Sequence, residues 1–145
     1  MRRPKFSPGT ADDTEAAFYD ALQHGDLDRL MECWADEEDI VCVHPGGARL
    51  VGHTAIRAAF EGLFAHGSVK VHPERVRRID AGSCSVHSVV ERVDVMGDDG
   101  PANAWIMATN VYAKTVHGWR MVTHHASSGS GTEPVDTAVT PSLLH

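Results

Sequence analysis

Residues 103–127 read NAWIMATNVYAKTVHGWRMVTHHAS, and this stretch decides the fold. Side chains there follow a period of two on both sides of Val116-His117-Gly118, the pattern of two strands joined by a tight turn. With those three residues as the loop, Asn110 stands opposite His124 and Tyr112 opposite Val122. Directly opposed residues hold their Cβ atoms about 5 Å apart, so Asn110 and His124 come within hydrogen-bonding reach. A bulge at Gly118 would shift this register by one.

Working outward, the period of two extends back to residue 68. It predicts strands over 68–79, 84–96, 103–115 and 119–127, punctuated by Asp80-Ala81-Gly82, Gly97-Asp98-Asp99-Gly100-Pro101 and His117-Gly118. Before residue 68 the period is 3.6. Thr10 is placed to cap a helix whose first turn carries Asp12 and Asp13, favourable at the positive end of the helix dipole. That helix buries Ala17, Phe18, Ala21 and Leu22 and stops at Gly25. Asp26 caps a second helix, with Leu27, Leu30, Met31 and Trp34 at i, i+3, i+4 and i+7. A β-branched run, Ile40–Val43, leads into a turn at His44-Pro45-Gly46-Gly47. A third helix sets Ile56, Ala59, Phe60, Leu63 and Phe64 on one stripe and ends at Gly67. Three helices, a short strand and a four-strand meander predict an α+β domain, its helices segregated to one face of an antiparallel sheet. Strands this long must curve, and a curved sheet under few helices leaves a cavity near one end.

Composition bounds the function. The chain has 145 residues, enough for one domain with a proper core, and its net charge is −7. An acidic chain without a basic stripe argues against nucleic acid and against anionic membrane surfaces as partners. Cys33, Cys42 and Cys84 are odd in number, widely spaced and without a CxxC pair, the pattern of reduced thiols. The opening MRRPKFSPG has no apolar segment behind its basic residues, and no apolar run reaches the ~18 residues a transmembrane helix needs. These features predict a soluble, cytoplasmic protein. The Pro/Gly-bearing residues 1–9 read as a disordered arm, 10–128 as the single domain, and 129–145 as a flexible tail.

Two stretches, Ala17–Phe64 and Thr109–Ser127, resemble the nuclear transport factor 2-like superfamily, in particular its SnoaL-like branch and the association domain of calcium/calmodulin-dependent kinase II. The resemblance rests on the Gly25-Asp26-Leu27 helix junction, the Pro45…Gly52…Ile56 spacing, and Gly118-Trp119-Arg120 followed by His125-x-Ser127. It implies a cystatin-like cone with a pocket at its wide end, a homodimer formed through the outer sheet face, and a small-molecule ligand. It places Asn110, Tyr112, Val122, His124 and Ala126 inward, and Thr109, Val111, Trp119, Met121, His125 and Ser127 toward a partner subunit. Fold alone does not settle function, because the superfamily holds both enzymes and binding modules.

Among candidate residues His44 comes first. Pro45 holds its backbone extended, and its position resembles that of the general-base aspartate of ketosteroid isomerase. A neutral imidazole there can move a proton near neutral pH. The alternative is a half-buried turn histidine bonded to a nearby carbonyl. Phe18 stands where the isomerase has its oxyanion-hole tyrosine, and Asn110 where it has a protonated aspartic acid. The anion-binding arginines of the kinase association domain are replaced here, one by Ala126 and one by Asn110. Glu91 is a candidate for the same pocket, with an ion pair to Arg92 or Lys114 as its alternative. The ten histidines give no metal motif. His124 and His125 are adjacent on a strand and so face opposite ways, and no HxxxH or HxH pattern lies beside a carboxylate. No metal and no cofactor are expected.

Two readings follow. In the first, His44 is base, Asn110 and His124 polarise a carbonyl, Trp34, Phe18, Phe60 and Tyr112 form apolar walls with Glu91 nearby, and the protein catalyses a proton transfer of isomerase, cyclase or dehydratase type. In the second it is a non-catalytic ligand-binding or oligomerisation module. An apolar outer face of Val111, Trp119 and Met121 would then need a second chain to cover it.

Overall fold

The computed structural model describes residues 6–138. Helix α1 spans Ala11–His24, and its start is chemical. The Thr10 side chain accepts from the Asp13 amide at 3.1 Å, and Gly25 at φ 64° closes the other end. Helix α2, Leu27–Glu32, is capped by Asp26 through the Arg29 amide. It is shorter than the apolar spacing predicts. Cys33 and Ala35 hydrogen-bond to Met121 instead of continuing the helix, and Trp34 bridges the last strand. Strand β1, Val41–Val43, turns at His44–Gly47 into a strand the sequence reading missed, β2 at Arg49–Val51. Helix α3, His53–Phe64, buries Ile56 and Phe60. The meander follows as β3 Val71–Ala81, β4 Cys84–Gly97, β5 Gly100–Thr115 and β6 Gly118–Ala126.

The six strands form one curved sheet in the order β2-β1-β6-β5-β4-β3. Every pairing is antiparallel but one: β1 runs parallel to β6, with Cys42 beside His124. This parallel pair was not anticipated. It sets β1, and His44 just past it, alongside β6. Two irregularities bend the sheet, one between Glu74 and Arg77 and one at Val122. No helix among the described residues is long and apolar enough to cross a membrane.

The register at Val122 corrects two readings. Asn110 does face His124, but Tyr112 faces Met121, because the loop has two residues and Val122 is the extra residue of a bulge. The bulge turns Met121 into the core, where it is fully buried. Trp119 packs half-buried against the core. The apolar outer patch therefore loses two of its three members. Thr109, Thr123, His125 and Ser127 instead border a shallow outer hollow.

The described parts of the two ends are hydrogen-bonded to the domain. Phe6 accepts from Arg120 at 2.6 Å and Pro8 from the Trp119 amide at 3.0 Å. Ser130 pairs with Trp105, Pro134 accepts from Arg75, and Asp136 forms an ion pair with Arg77 at 2.8 Å. Residues 1–5 and 139–145 of the expected arm and tail lie outside the described residues.

Candidate functional site

Between α3, the turn after β1 and the concave face of the sheet lies a cavity of about 430 Å³. Most of its wall is hydrocarbon, with Leu22 from α1, Phe60 and Leu63 from α3, and Val71, Val93 and Ile106 from the sheet. Three titratable side chains, His44, Glu91 and His124, break it. An apolar cavity with a few convergent polar groups is the usual form of a small-molecule site.

Two of them, Glu91 and His124, belong to a buried chain of hydrogen bonds. Tyr19 donates its hydroxyl to Glu91 Oε2 at 2.7 Å. Asn110 Nδ2 donates to the Tyr19 oxygen at 2.9 Å, and Asn110 Oδ1 bonds His124 Nδ1. Helix α1 thus ties together three strands of the sheet, and both ends of the chain, Glu91 and His124, reach the same cavity.

The environment sets the charges. Burial pushes the Glu91 carboxyl up from 4.5 to about 7; the Tyr19 hydrogen bond acts against this and the Glu15 charge adds to it. Burial lowers His124 from 6.5 to about 3, with His44 and His125 contributing. His44 is also lowered by burial. Both imidazoles are therefore neutral at physiological pH, while Glu91 sits where it can gain or lose a proton. The thiols are poor nucleophiles by the same cause: burial holds Cys33 and Cys42 at about 12.

The structure distributes the expected site residues unevenly. His44, Glu91, His124 and Phe60 share the cavity wall. The His44 ring packs edge-on against Phe60 with centroids 4.9 Å apart, and its Nε2 lies 3.8 Å from Cys42 Sγ. Asn110 stands behind the wall, fully buried, with both ends of its amide engaged. It does not touch the cavity. Phe18 is a core residue packed edge-on against Tyr19 and Phe60 and tilted against the His124 ring. Trp34 is buried away from the cavity wall with no partner for its Nε1. Tyr112 belongs elsewhere, donating to Glu15 Oε2 at 2.8 Å. The phenol serving the cavity is Tyr19, one residue past Phe18, and the sequence reading missed it. Glu91 pairs with neither Arg92 nor Lys114. It is 5% exposed, while Arg92 bonds Glu74 and Asp94 on the other face.

A second polar cluster lies away from the cavity. Glu15 Oε2 is 2.8 Å from His87 Nδ1, His87 Nε2 is 3.0 Å from Ser85 Oγ, and Ser85 donates to Asp80. Neither Glu15 nor His87 was singled out in the sequence. The spacing Glu15–Tyr19 is i, i+4 on the buried side of α1, and His87–Glu91 is i, i+4 along one face of β4, which is the signal that pairs them. Asp12, Glu15 and His87 bring possible ligand atoms within 4.8 Å of one another, but Asp12 is already held by Arg78.

A family model described as SnoaL-like domain matches residues 12–130. No curated protein matches. Among solved structures, one from Thiobacillus denitrificans, described as a calcium/calmodulin-dependent protein kinase type II association domain, is 35% identical, with a TM-score of 0.75 over 85% of this chain and 98% of that one. One from Streptomyces avermitilis, described as a dehydratase of the NTF2-like family, is 26% identical, with a TM-score of 0.71 over 81% and 91%. An NTF2-like protein of unknown function from Pseudomonas putida shares the fold at 18% identity, with a TM-score of 0.69 over 90% and 93%. With the family match covering most of it, the chain belongs to the SnoaL-like family of the nuclear transport factor 2-like superfamily.

Proposed function

We propose that the protein binds a small, largely apolar metabolite in the 430 Å³ cavity and moves a proton on it, with Glu91 as the proton-transferring group. The observation that carries this reading is a carboxyl buried in a hydrocarbon wall, held by one phenol hydrogen bond and shifted to about 7. A base with a midpoint near the working pH is both sufficiently ionised and sufficiently basic. The ionised carboxylate takes a proton from a C–H bond, the electron pair delocalises within the substrate, and the carboxylic acid returns the proton at a second position. No outside oxidant or reductant enters. His44 is left as a neutral wall group rather than the principal base. The test is turnover or hydrogen–deuterium exchange across a panel of apolar metabolites, comparing wild type with Glu91→Gln. Exchange that survives the substitution unchanged rejects Glu91 as the base.

A second reading, a binding or oligomerisation module, is favoured by the likeness to the association-domain structure. The outer hollow bordered by Met107, Thr109, Thr123 and His125 is where a second copy would dock to form a homodimer. Sedimentation of wild type against Thr109→Arg tests it, since a charge there should yield monomer.

A further inference from the structure

The buried chain of hydrogen bonds has a direction, and the direction says what a ligand must carry. Tyr19 has a single hydroxyl proton. An ionised Glu91 only accepts, so at 2.7 Å that proton points to Glu91 Oε2. The Tyr19 oxygen must then accept from Asn110, which puts the NH₂ group of the amide toward Tyr19 and Oδ1 toward His124. Oδ1 cannot donate. His124 Nδ1 therefore carries the proton, and since burial keeps the ring neutral its Nε2 is bare. His124 is 4% exposed, forms part of the cavity wall, and its Nε2 has no partner among the described residues.

We propose that the cavity selects an apolar molecule bearing a hydrogen-bond donor at this point: an alcohol, phenol or enol that donates to His124 Nε2, rather than a ketone or ether. Glu91 and Asn110 thus act at a distance as positioning residues for His124, because reversing any link of the chain would turn Nε2 into a donor. His44 can present either a donor or an acceptor, since its Nε2 faces a thiol that can play both parts. The fixed acceptor is His124. This also reverses the expectation that Asn110 and His124 polarise a carbonyl. The inference rests on the proposed function only in assuming that a ligand enters this cavity.

The experiment uses the whole chain at pH 8, where Glu91 is ionised. Binding of 2-naphthol and of 2-methoxynaphthalene is measured by calorimetry, and the histidine ring nitrogens are read by ¹⁵N NMR without ligand. The expected result is a bare Nε2 at His124 and about tenfold tighter binding of the naphthol, the worth of one hydrogen bond to a buried acceptor. In His124→Phe the two probes should bind alike. A proton on His124 Nε2 overturns the proposal whether or not that variant folds. Equal binding of naphthol and ether to wild type overturns it while leaving the cavity as a ligand site. Binding of neither probe overturns it together with the cavity's role in binding.

Discussion

The Tyr19 hydroxyl lies 2.7 Å from Glu91 Oε2 and joins the first helix to the middle of β4, although the two residues are 72 positions apart. This bond is both a structural tie and the setting of the candidate base. It satisfies one oxygen of a buried carboxylate that also lines the cavity.

Replacing Tyr19 by Phe keeps the ring, which packs edge-on against Phe18 with centroids 5.2 Å apart, and removes only the hydroxyl. Glu91 Oε2 and Asn110 Nδ2 then lose their partner inside the protein. We expect a loss of about 2–3 kcal/mol in urea unfolding, the cost of stranding buried polar groups. Because the Tyr19 bond lowers Glu91, its carboxyl midpoint should rise above the wild-type value.

Glu91 makes folding depend on pH in an unusual sense for a carboxyl. Its folded midpoint, about 7, lies above the unfolded value, so between roughly pH 4.5 and 7 the folded state holds the extra proton. Its contribution is complete below 4.5 and is lost as pH rises through 7, amounting to about 3 kcal/mol at most. In Glu91→Gln this slope should vanish, and the variant should be more stable than wild type at pH 8. A variant less stable at pH 8 than at pH 5 by the wild-type margin would mean that Glu91 is not the source.

His124 acts in the opposite direction. Its folded midpoint of about 3 lies below 6.5, so stability is fully present above 6.5 and lost as pH falls toward 3. From about 4.5 to 6.5 the two residues cancel, and below 4.5 only the histidine is left. The difference in unfolding free energy between wild type and His124→Gln should therefore shrink steadily from pH 6.5 to 3.

Gly118 is where the N-terminal segment closes on the hairpin. Its φ is 95°, and a Cβ there would meet the Pro8 carbonyl oxygen at 2.5 Å. Gly118→Ala should cost about 2 kcal/mol or more in thermal or urea unfolding, from backbone strain plus the clash. Proteolysis should also detect release of residues around Phe6, whose carbonyl is held by Arg120.

What was legible in the sequence was local. Thr10, Gly25 and Asp26 announce helix ends because capping chemistry involves neighbours in the chain. The facing of Asn110 and His124 came out as read because the Val122 bulge offsets a loop one residue shorter than the reading assumed. The bulge at Val122 could not be read, because it is matched to hydrogen bonds that Cys33 and Ala35 make with Met121 from a distant part of the chain. Strand β2 was hidden because Arg49–Val51 is too short to show a period. Glu91 was legible as a pocket candidate, but an ion pair to Arg92 or Lys114 stood beside that reading. On β4 the inward face mixes Ser85, His87 and Glu91 with Val89 and Val93, so its alternation alone does not mark it as buried, and the contacts of Glu15 and Tyr19 from α1 reveal that it is. Trp34 looked helical for a related reason, its spacing being right and its true partner lying in β6.

Glu91 is a buried carboxyl held near neutrality in a hydrocarbon wall. A ¹³C NMR titration of the glutamate side-chain carboxyls, with Glu91 assigned by its disappearance in Glu91→Gln, addresses it directly. One carboxyl with a midpoint about 7 is the expected result. A Glu91 midpoint near 4.5, the ordinary value for a solvated glutamate, would contradict it.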